Sequence, residues 1–175
     1  MSAEADLRAR PDTMQASCHA TCVALGEAGV LIRGAAGAGK SSLALALIER
    51  AAGRGRFAAL VGDDRIRLAS MNGRLVARPH PALAGRIEIR GHGIVAVEAV
   101  IACVVRLIVD LVEAAPRLPE VAIPEAHLLG LRLPHLVVDR ALRDAGAAPM
   151  LVLAAAGVSS QPHTRLRVGD ARAFP

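Results

Sequence analysis

The sequence predicts an α/β fold, a mixed β-sheet with flanking helices, on three observations. Apolar runs of strand length recur along the chain and end in turn residues, as at Val30-Leu31-Ile32 and Phe57-Ala58-Ala59-Leu60-Val61-Gly62. The stretch Ser42 to Arg50 is rich in alanine and leucine, the best helix formers. Between the first run and that stretch lies Gly34-Ala35-Ala36-Gly37-Ala38-Gly39-Lys40-Ser41, which fits the P-loop pattern Gly-x-x-x-x-Gly-Lys-[Ser/Thr] at every fixed position. Strand, glycine loop and helix form the context in which that pattern cradles phosphate.

Taken in order, Met1 to Gln15 reads as a polar lead-in, and Ala16 to Ala24 as a strand around His19. Gly26-Glu27-Ala28-Gly29 signals a turn, so Thr21–Leu25 and Val30–Arg33 are expected to form a hairpin feeding the loop. The loop helix should end near Gly53-Arg54-Gly55. The run Phe57–Gly62 is expected beside the P-loop strand, ending at Asp63-Asp64. Arg65 to Ala69 alternates as a half-buried strand does, Asn72-Gly73 is a two-residue hairpin signal, and Leu75-Val76-Ala77 returns until Pro79 and Pro81. Arg86 to Val95 is a second alternating segment bent at Gly91 and Gly93. Val104 to Leu111 is a further strand, followed by a loop-rich connection with Pro116, Pro119 and Pro124. Leu128 to Leu133 is expected as a short strand, Leu136 to Asp144 as a helix, Met150 to Ala156 as an apolar strand or helix, and Val158 to Pro175 as a tail.

Composition narrows the classes of function. The 175 residues suit one domain with a proper core, spanning 1–175 with tails at 1–15 and 158–175. Apolar residues make up 53% of the chain, against disorder; there is no Trp or Tyr, and Phe57 and Phe174 are its only aromatics. Single-stranded nucleic acid is therefore an unsuitable partner, because stacking platforms are missing. The formal charge of +5 is almost all arginine; Lys40 is the only lysine and stands at the phosphate-contacting position of the loop. Met1 to Asp12 carries no apolar targeting core, and the apolar stretch Ile94 to Val112 is broken by Glu98, Arg106 and Asp110, which suits buried strands better than a membrane span. Cys18, Cys22 and Cys103 are too few for a disulfide framework, and Cys18-His19-Cys22 has no second ligand pair to complete a metal site. A cytoplasmic setting with reduced thiols is expected.

The loop dictates its own chemistry. Its glycines allow tight turning, so that amides from Gly34 to Ser42, through Ala35, Ala36, Gly37, Ala38 and Gly39, face phosphate oxygens at the positive end of a helix. Lys40 would reach the β- and γ-phosphates, and the Ser41 hydroxyl would ligate Mg²⁺. An apolar strand ending in acid is the Walker-B arrangement. Two adjacent acids at a strand end point in different directions, so one can serve the metal and the other an incoming hydroxyl. Glu88 and Arg90 share one side of an alternating strand; from spacing alone an exposed ion pair on a hairpin is the plainer reading.

The order His19, P-loop, Val61-Gly62-Asp63-Asp64-Arg65, then Ile87-Glu88-Ile89-Arg90-Gly91-His92-Gly93-Ile94, resembles HPr kinase/phosphorylase over roughly His19 to Leu111. The Glu-x-Arg-Gly-x-Gly-Ile string is far more specific than a P-loop. The chain looks like the C-terminal catalytic domain alone, as in the short forms of alphaproteobacteria. The resemblance implies a nucleotide-binding core like that of phosphoenolpyruvate carboxykinase. It implies ATP- and Mg²⁺-dependent phosphorylation of a serine on HPr, the phosphocarrier of the sugar phosphotransferase system, and the reverse attack of inorganic phosphate giving pyrophosphate. By the same resemblance Asp63 is the acid–base residue, Asp64 and Glu88 are acids near the metal with Ser41, His19 lies close to the catalytic aspartate, and Arg90, Gly91 and Gly93 belong to the signature.

The chain departs from longer members in one string. Their Pro-Gly-Arg-Asn is absent, and Gly130-Leu131-Arg132-Leu133-Pro134 is a loose stand-in, which leaves phosphorolysis and a homo-oligomeric ring open for this chain. Two other readings stand beside this one: a P-loop kinase with a small-molecule acceptor, and a regulatory nucleotide-binding module that transfers nothing. The pair Asp63-Asp64 argues against the last, since a mere binder needs one metal-shell acid.

Overall fold

The computed structural model describes residues 14–115 and 124–158. The chain begins with β1 (Gln15–Cys18), β2 (Ala20–Leu25), β3 (Ala28–Gly34) and α1 (Lys40–Ala52). It continues through β4 (Ala58–Gly62), β5 (Ile66–Met71), β6 (Arg74–Pro79), β7 (Arg86–Ile89), β8 (Gly93–Ala96) and β9 (Cys103–Leu111). It closes with β10 (Glu125–Leu128), β11 (Leu131–Val138), α2 (Arg140–Asp144) and α3 (Ala148–Ala155). The expected α/β class with a mixed sheet is what forms.

The main sheet runs β1-β5-β6-β9-β3-β2-β4, with β11 on β9 and β10 on β11; β7 and β8 pair apart from it. β9 is its spine. One edge runs parallel to β3, and the other takes β6 antiparallel and then β11 parallel. The central strands are buried on both faces, which is why they read as continuous apolar runs. On one face Leu43, Ala44, Leu47 and Ala51 of α1 pack with Val30, Ile32, Leu60 and Val109. On the other, Cys22, Leu31, Val61, Ile66, Leu75 and Ile108 form a second cluster.

The β2–β3 hairpin, the end of α1 at Gly53 and the β5–β6 hairpin form as expected. Asn72 and Gly73 take φ of 51° and 71°, the left-handed pair that a two-residue turn needs. Several expectations change. The single stretch over Ala16–Ala24 breaks at His19, because β1 pairs with β5 whereas β2 pairs with β3 and β4. Gln15 belongs to β1 rather than to a tail, and Val158 is buried. β4 is not beside β3: the first arm of the hairpin, β2, lies between them. Phe57 precedes β4 and is exposed, and β8 is exposed throughout, so only β9 of the Ile94–Val112 stretch is a buried strand.

The largest revision follows β9. Leu129 and Gly130 turn with positive φ, splitting the expected strand over Leu128–Leu133 into a hairpin. β11 then runs on through Pro134 to Val138, where a helix was expected. Pro134 is tolerated because β9 pairing starts only at His135, so its missing N–H leaves no ladder bond unmade on that side. The helix shrinks to α2, capped where the Asp139 side chain accepts from the Leu142 N–H at 2.9 Å. Met150–Ala156 falls mostly within α3. Pro116, Pro119 and the stretch 159–175 lie outside the described residues.

An ionic clamp ties three strands together at the foot of the glycine loop. Arg33 Nε and Nη2 donate to the two Asp110 oxygens at 2.7 and 2.6 Å, and His135 Nε2 lies 2.8 Å from Asp110 Oδ2. Burial alone would raise the Asp110 carboxyl; the Arg33 guanidinium, helped by His135, outweighs it and holds the carboxyl below its usual value.

Two outcomes follow. Because the folded-state value is lowered, Asp110 contributes stability above about pH 4 that is lost as pH falls through the lowered value. Urea titrations across pH 2–6 should therefore show a steeper acid loss in the wild type than in Asp110→Asn. Leu47→Ala, at a site with 0% exposure, should cost about 2–5 kcal/mol in the same assay.

Candidate active site

The glycine loop is held in one shape by what surrounds it. A Cβ on Gly34 would lie 2.9 Å from the Leu111 carbonyl oxygen, so β9 approaches closer than any side chain allows. Gly39 caps α1 at φ 90°, in the left-handed region, and turns the first helical amides toward the loop. Arg90, in the turn just past β7 rather than on the strand, lays its guanidinium over the loop: a Cβ on Gly37 would sit 3.6 Å from Arg90 Nη1.

Lys40 is 7% exposed and folds back on the loop. Its Nζ donates to the Gly34 and Ala35 carbonyls, both at 3.0 Å, and lies 2.9 Å from His19 Nε2. An ammonium has no acceptor, so His19 Nε2 accepts, and Nδ1 carries the ring proton. That proton points at Asp64 Oδ1, 2.8 Å away. His19, at the break between β1 and β2, therefore bridges the lysine and the second acid. Burial lowers the Lys40 ammonium below the usual lysine value, and the charges of Asp63 and Asp64 oppose that shift.

The two acids have different surroundings. Asp63 is 6% exposed and ringed by donors. Thr21 Oγ1 donates to Oδ1 at 2.5 Å, Ser41 Oγ reaches Oδ1 and Oδ2 at 3.1 and 2.9 Å, and the Glu88 N–H donates to Oδ2 at 3.2 Å. Asp64 is 65% exposed at its side chain and holds φ 65°, a left-handed conformation uncommon outside glycine. The two acids point in different directions, Asp63 toward Ser41 and Asp64 toward His19.

His19, Ala36, Gly37, Gly39, Lys40, Ser41, Ser42, Asp63, Asp64, Glu88 and Arg90 line one cavity of about 530 Å³. Gly91 and Gly93, with φ of 82° and 90°, shape the β7–β8 turn that carries Arg90 to its rim. Ala38 packs against the core under the loop. Thr21 is a member that sequence reasoning missed. The available signal was position: it alternates with Val23 and Leu25, so a polar group faces inward beside the loop.

Among the described residues, no group of three or more His, Cys, Asp or Glu could hold a metal unaided. A hydroxyl and a carboxylate beside a phosphate cradle fit Mg²⁺ instead, which takes few protein ligands and completes its shell with phosphate and water. The Cys18-His19-Cys22 group is dispersed: His19 faces Lys40 and Asp64, and Cys22 Sγ lies 3.6 Å from Cys103 Sγ.

Comparison with known proteins agrees with this architecture. The family model described as HPr Serine kinase C-terminal domain matches residues 13–116, more than half of the chain. The HPr kinase/phosphorylase of Mycoplasma mycoides subsp. mycoides SC is 42% identical over 76 residues, 43% of this chain and 22% of the relative. That of Clostridium beijerinckii is 37% identical over 77 residues, 44% of this chain and 24% of the relative. The matched region thus spans about a quarter of these relatives' length. A structure of the Hpr(Ser) kinase/phosphatase from Coxiella burnetii superposes with a TM-score of 0.62 and 29% identity, covering 78% of this chain and 95% of that one. The chain belongs to the HPr serine kinase C-terminal domain family.

Proposed function

We propose that this chain is an ATP-dependent protein-serine kinase acting on an HPr-like phosphocarrier, with Mg²⁺ bound at Ser41 and Asp63 and Glu88 at its margin. The observation that carries this reading is the convergence of a P-loop, a sequestered acid and an exposed acid on one cavity. When bound, Mg²⁺ neutralises charge on the transferring phosphates. The chain's residues supply positioning and electrostatics, which is most of what phosphoryl transfer requires.

We infer a division of roles between the two acids that differs from the one the resemblance implied. Asp63 is committed to Ser41, Thr21 and the Glu88 amide, so both of its oxygens already accept hydrogen bonds. Asp64 is open to the cavity and oriented by His19. We assign Asp64 as the carboxylate that takes the proton of the carrier's serine, and Asp63 as the acid that aligns Ser41. The serine oxygen then bonds to the γ-phosphorus as the β–γ bridge breaks, and ADP departs. Lys40 exchanges a loop carbonyl for a phosphate oxygen, and Arg90 adds a second cation over the loop. In the reverse direction protonated Asp64 returns a proton to the serine oxygen as inorganic phosphate attacks, yielding pyrophosphate.

Purified chain, Mg-ATP and the HPr-like carrier of the same cell should give an acid-stable gain of one phosphoryl group by intact mass. An unchanged carrier with ATP consumed against a metabolite would favour a small-molecule kinase. ATP binding without turnover would favour a regulatory module. Asp64→Asn should lower transfer by about 10²–10⁴-fold, the usual contribution of a general base, with Mg-ATP affinity retained. Asp63→Asn should instead weaken Mg-dependent ATP binding by calorimetry. The opposite split would return the proton-acceptor role to Asp63.

A further inference from the structure

The chain has three cysteines, all free, and two of them touch. Cys22 Sγ of β2 lies 3.6 Å from Cys103 Sγ at the start of β9. In the sheet these strands are separated by β3, in the order β9-β3-β2. The pair meets across β3 because Gly29 stands there. A Cβ on Gly29 would lie 2.5 Å from Cys103 Sγ and 2.6 Å from the Val104 carbonyl oxygen, so the Cys103 sulfur takes up the space that a side chain would fill.

The two thiols differ in access. Cys22 is fully buried in the second core cluster, and Cys103 is half-buried at the edge of that cluster. Contact with Cys103, together with burial, raises the Cys22 thiol well above its usual value, so it stays protonated behind its neighbour. Cys18 is half-buried, and burial raises its thiol too, against the opposing charge of Arg33. The pair also sits next to the catalytic machinery along the chain. Thr21, the residue before Cys22, donates to Asp63. Cys22 itself is opposite Gly62, the residue before Asp63, and the β2–β4 register shifts between Cys22 and Val23. Alternation along β2 turns Thr21 to one face and Cys22 to the other, so a pull on the sulfur is felt by the threonine through one peptide unit.

We propose that Cys22 and Cys103 are a redox pair that hydrogen peroxide closes to a disulfide, and that closure loosens the Asp63 site. The second half rests on the nucleotide-dependent activity proposed above. In the first step the Cys103 thiol is oxidised to a sulfenic acid as the peroxide O–O bond breaks and one oxygen leaves as water. In the second, the Cys22 sulfur attacks the sulfenic sulfur, the S–O bond breaks, and the hydroxyl leaves as water with the Cys22 proton. The two thiols together give up two electrons and two protons, and one peroxide becomes two waters. From the present 3.6 Å the sulfurs must close by about 1.5 Å to reach bonding distance. β2 takes its share of that closure at the bulge beside Cys22, and Thr21 moves with it relative to Asp63.

The test treats the full chain with hydrogen peroxide, unfolds it, alkylates the free thiols with N-ethylmaleimide and reads intact mass. The reduced chain should take three labels, one for each cysteine. The oxidised chain should lose two hydrogens and take a single label, on Cys18, with peptide mapping joining Cys22 to Cys103 and dithiothreitol reversing the change. Cys18→Ser should still cross-link and Cys103→Ser should not; if Cys103→Ser fails to fold, the wild-type map and Cys18→Ser decide. The bond is overturned if three labels persist, if Cys18 takes part in it, or if Cys103 stops at sulfinic acid with Cys22 still free. In the same samples, phosphoryl transfer to the carrier should fall at least about tenfold on oxidation and return on reduction, since misplacing a positioning group by about 1 Å costs on the order of 10²-fold. Cys103→Ser should transfer at the wild-type rate with or without peroxide. Equal transfer by the cross-linked and reduced chains, or equal peroxide inhibition of Cys103→Ser, overturns the coupling while the kinase reading stands. A reduced chain that transfers nothing overturns the kinase reading. Mg-ATP calorimetry on the two redox forms then reads the coupling, with weaker binding expected after oxidation and equal or absent binding overturning it.

Discussion

The Asp63 carboxylate is almost removed from water, and a buried charge must be solvated by the protein or it will not stay charged. Its donors come from β2 through Thr21, from α1 through Ser41, and from β7 through the backbone of Glu88. Four elements, counting the end of β4 that delivers Asp63 itself, meet at one functional group. The requirement explains features that look unrelated. Thr21 is polar in a strand otherwise wholly buried, β2 is inserted between β3 and β4, and the separate β7–β8 hairpin folds down onto the loop.

The same economy extends outward by one layer. Three donors of Lys40 are taken up by two loop carbonyls and His19, and the Nδ1–H of His19 donates to Asp64. The exposed acid is thereby oriented through a chain of hydrogen bonds that starts at the loop lysine. At the other end of the loop, the Arg33–Asp110 pair clamps β3 to β9 where the backbones come too close for a side chain at Gly34. The loop is thereby held from both ends by contacts within the chain.

Local signals were legible where local chemistry decides conformation. The glycine loop, the Asn72-Gly73 turn, the β2–β3 hairpin and the end of α1 each depend on residues within a few positions of one another. The segment after β9 was not legible for the opposite reason. Leu136-Val137-Val138 suits a buried strand or a helix equally well, and only pairing with Val109, Asp110 and Leu111 makes it a strand. Leu129 in a left-handed turn carries no sequence signal at all. Arg33 and Asp110 each stand out as a charge in an apolar run, yet nothing in the chain order says that they face each other across 77 positions.

The sequence by itself determined the α/β class and the strand, glycine loop and helix of the P-loop pattern, because that fixed spacing of glycine, lysine and serine acts through neighbours in the chain, whereas Thr21 joined the site only through tertiary structure. Two neighbouring acids pointing in different directions could also be read from a strand end. Which acid faces which way was decided only by tertiary structure. Asp63 and Asp64 are adjacent and chemically identical, and their difference lies in the donors that distant strands bring to one of them.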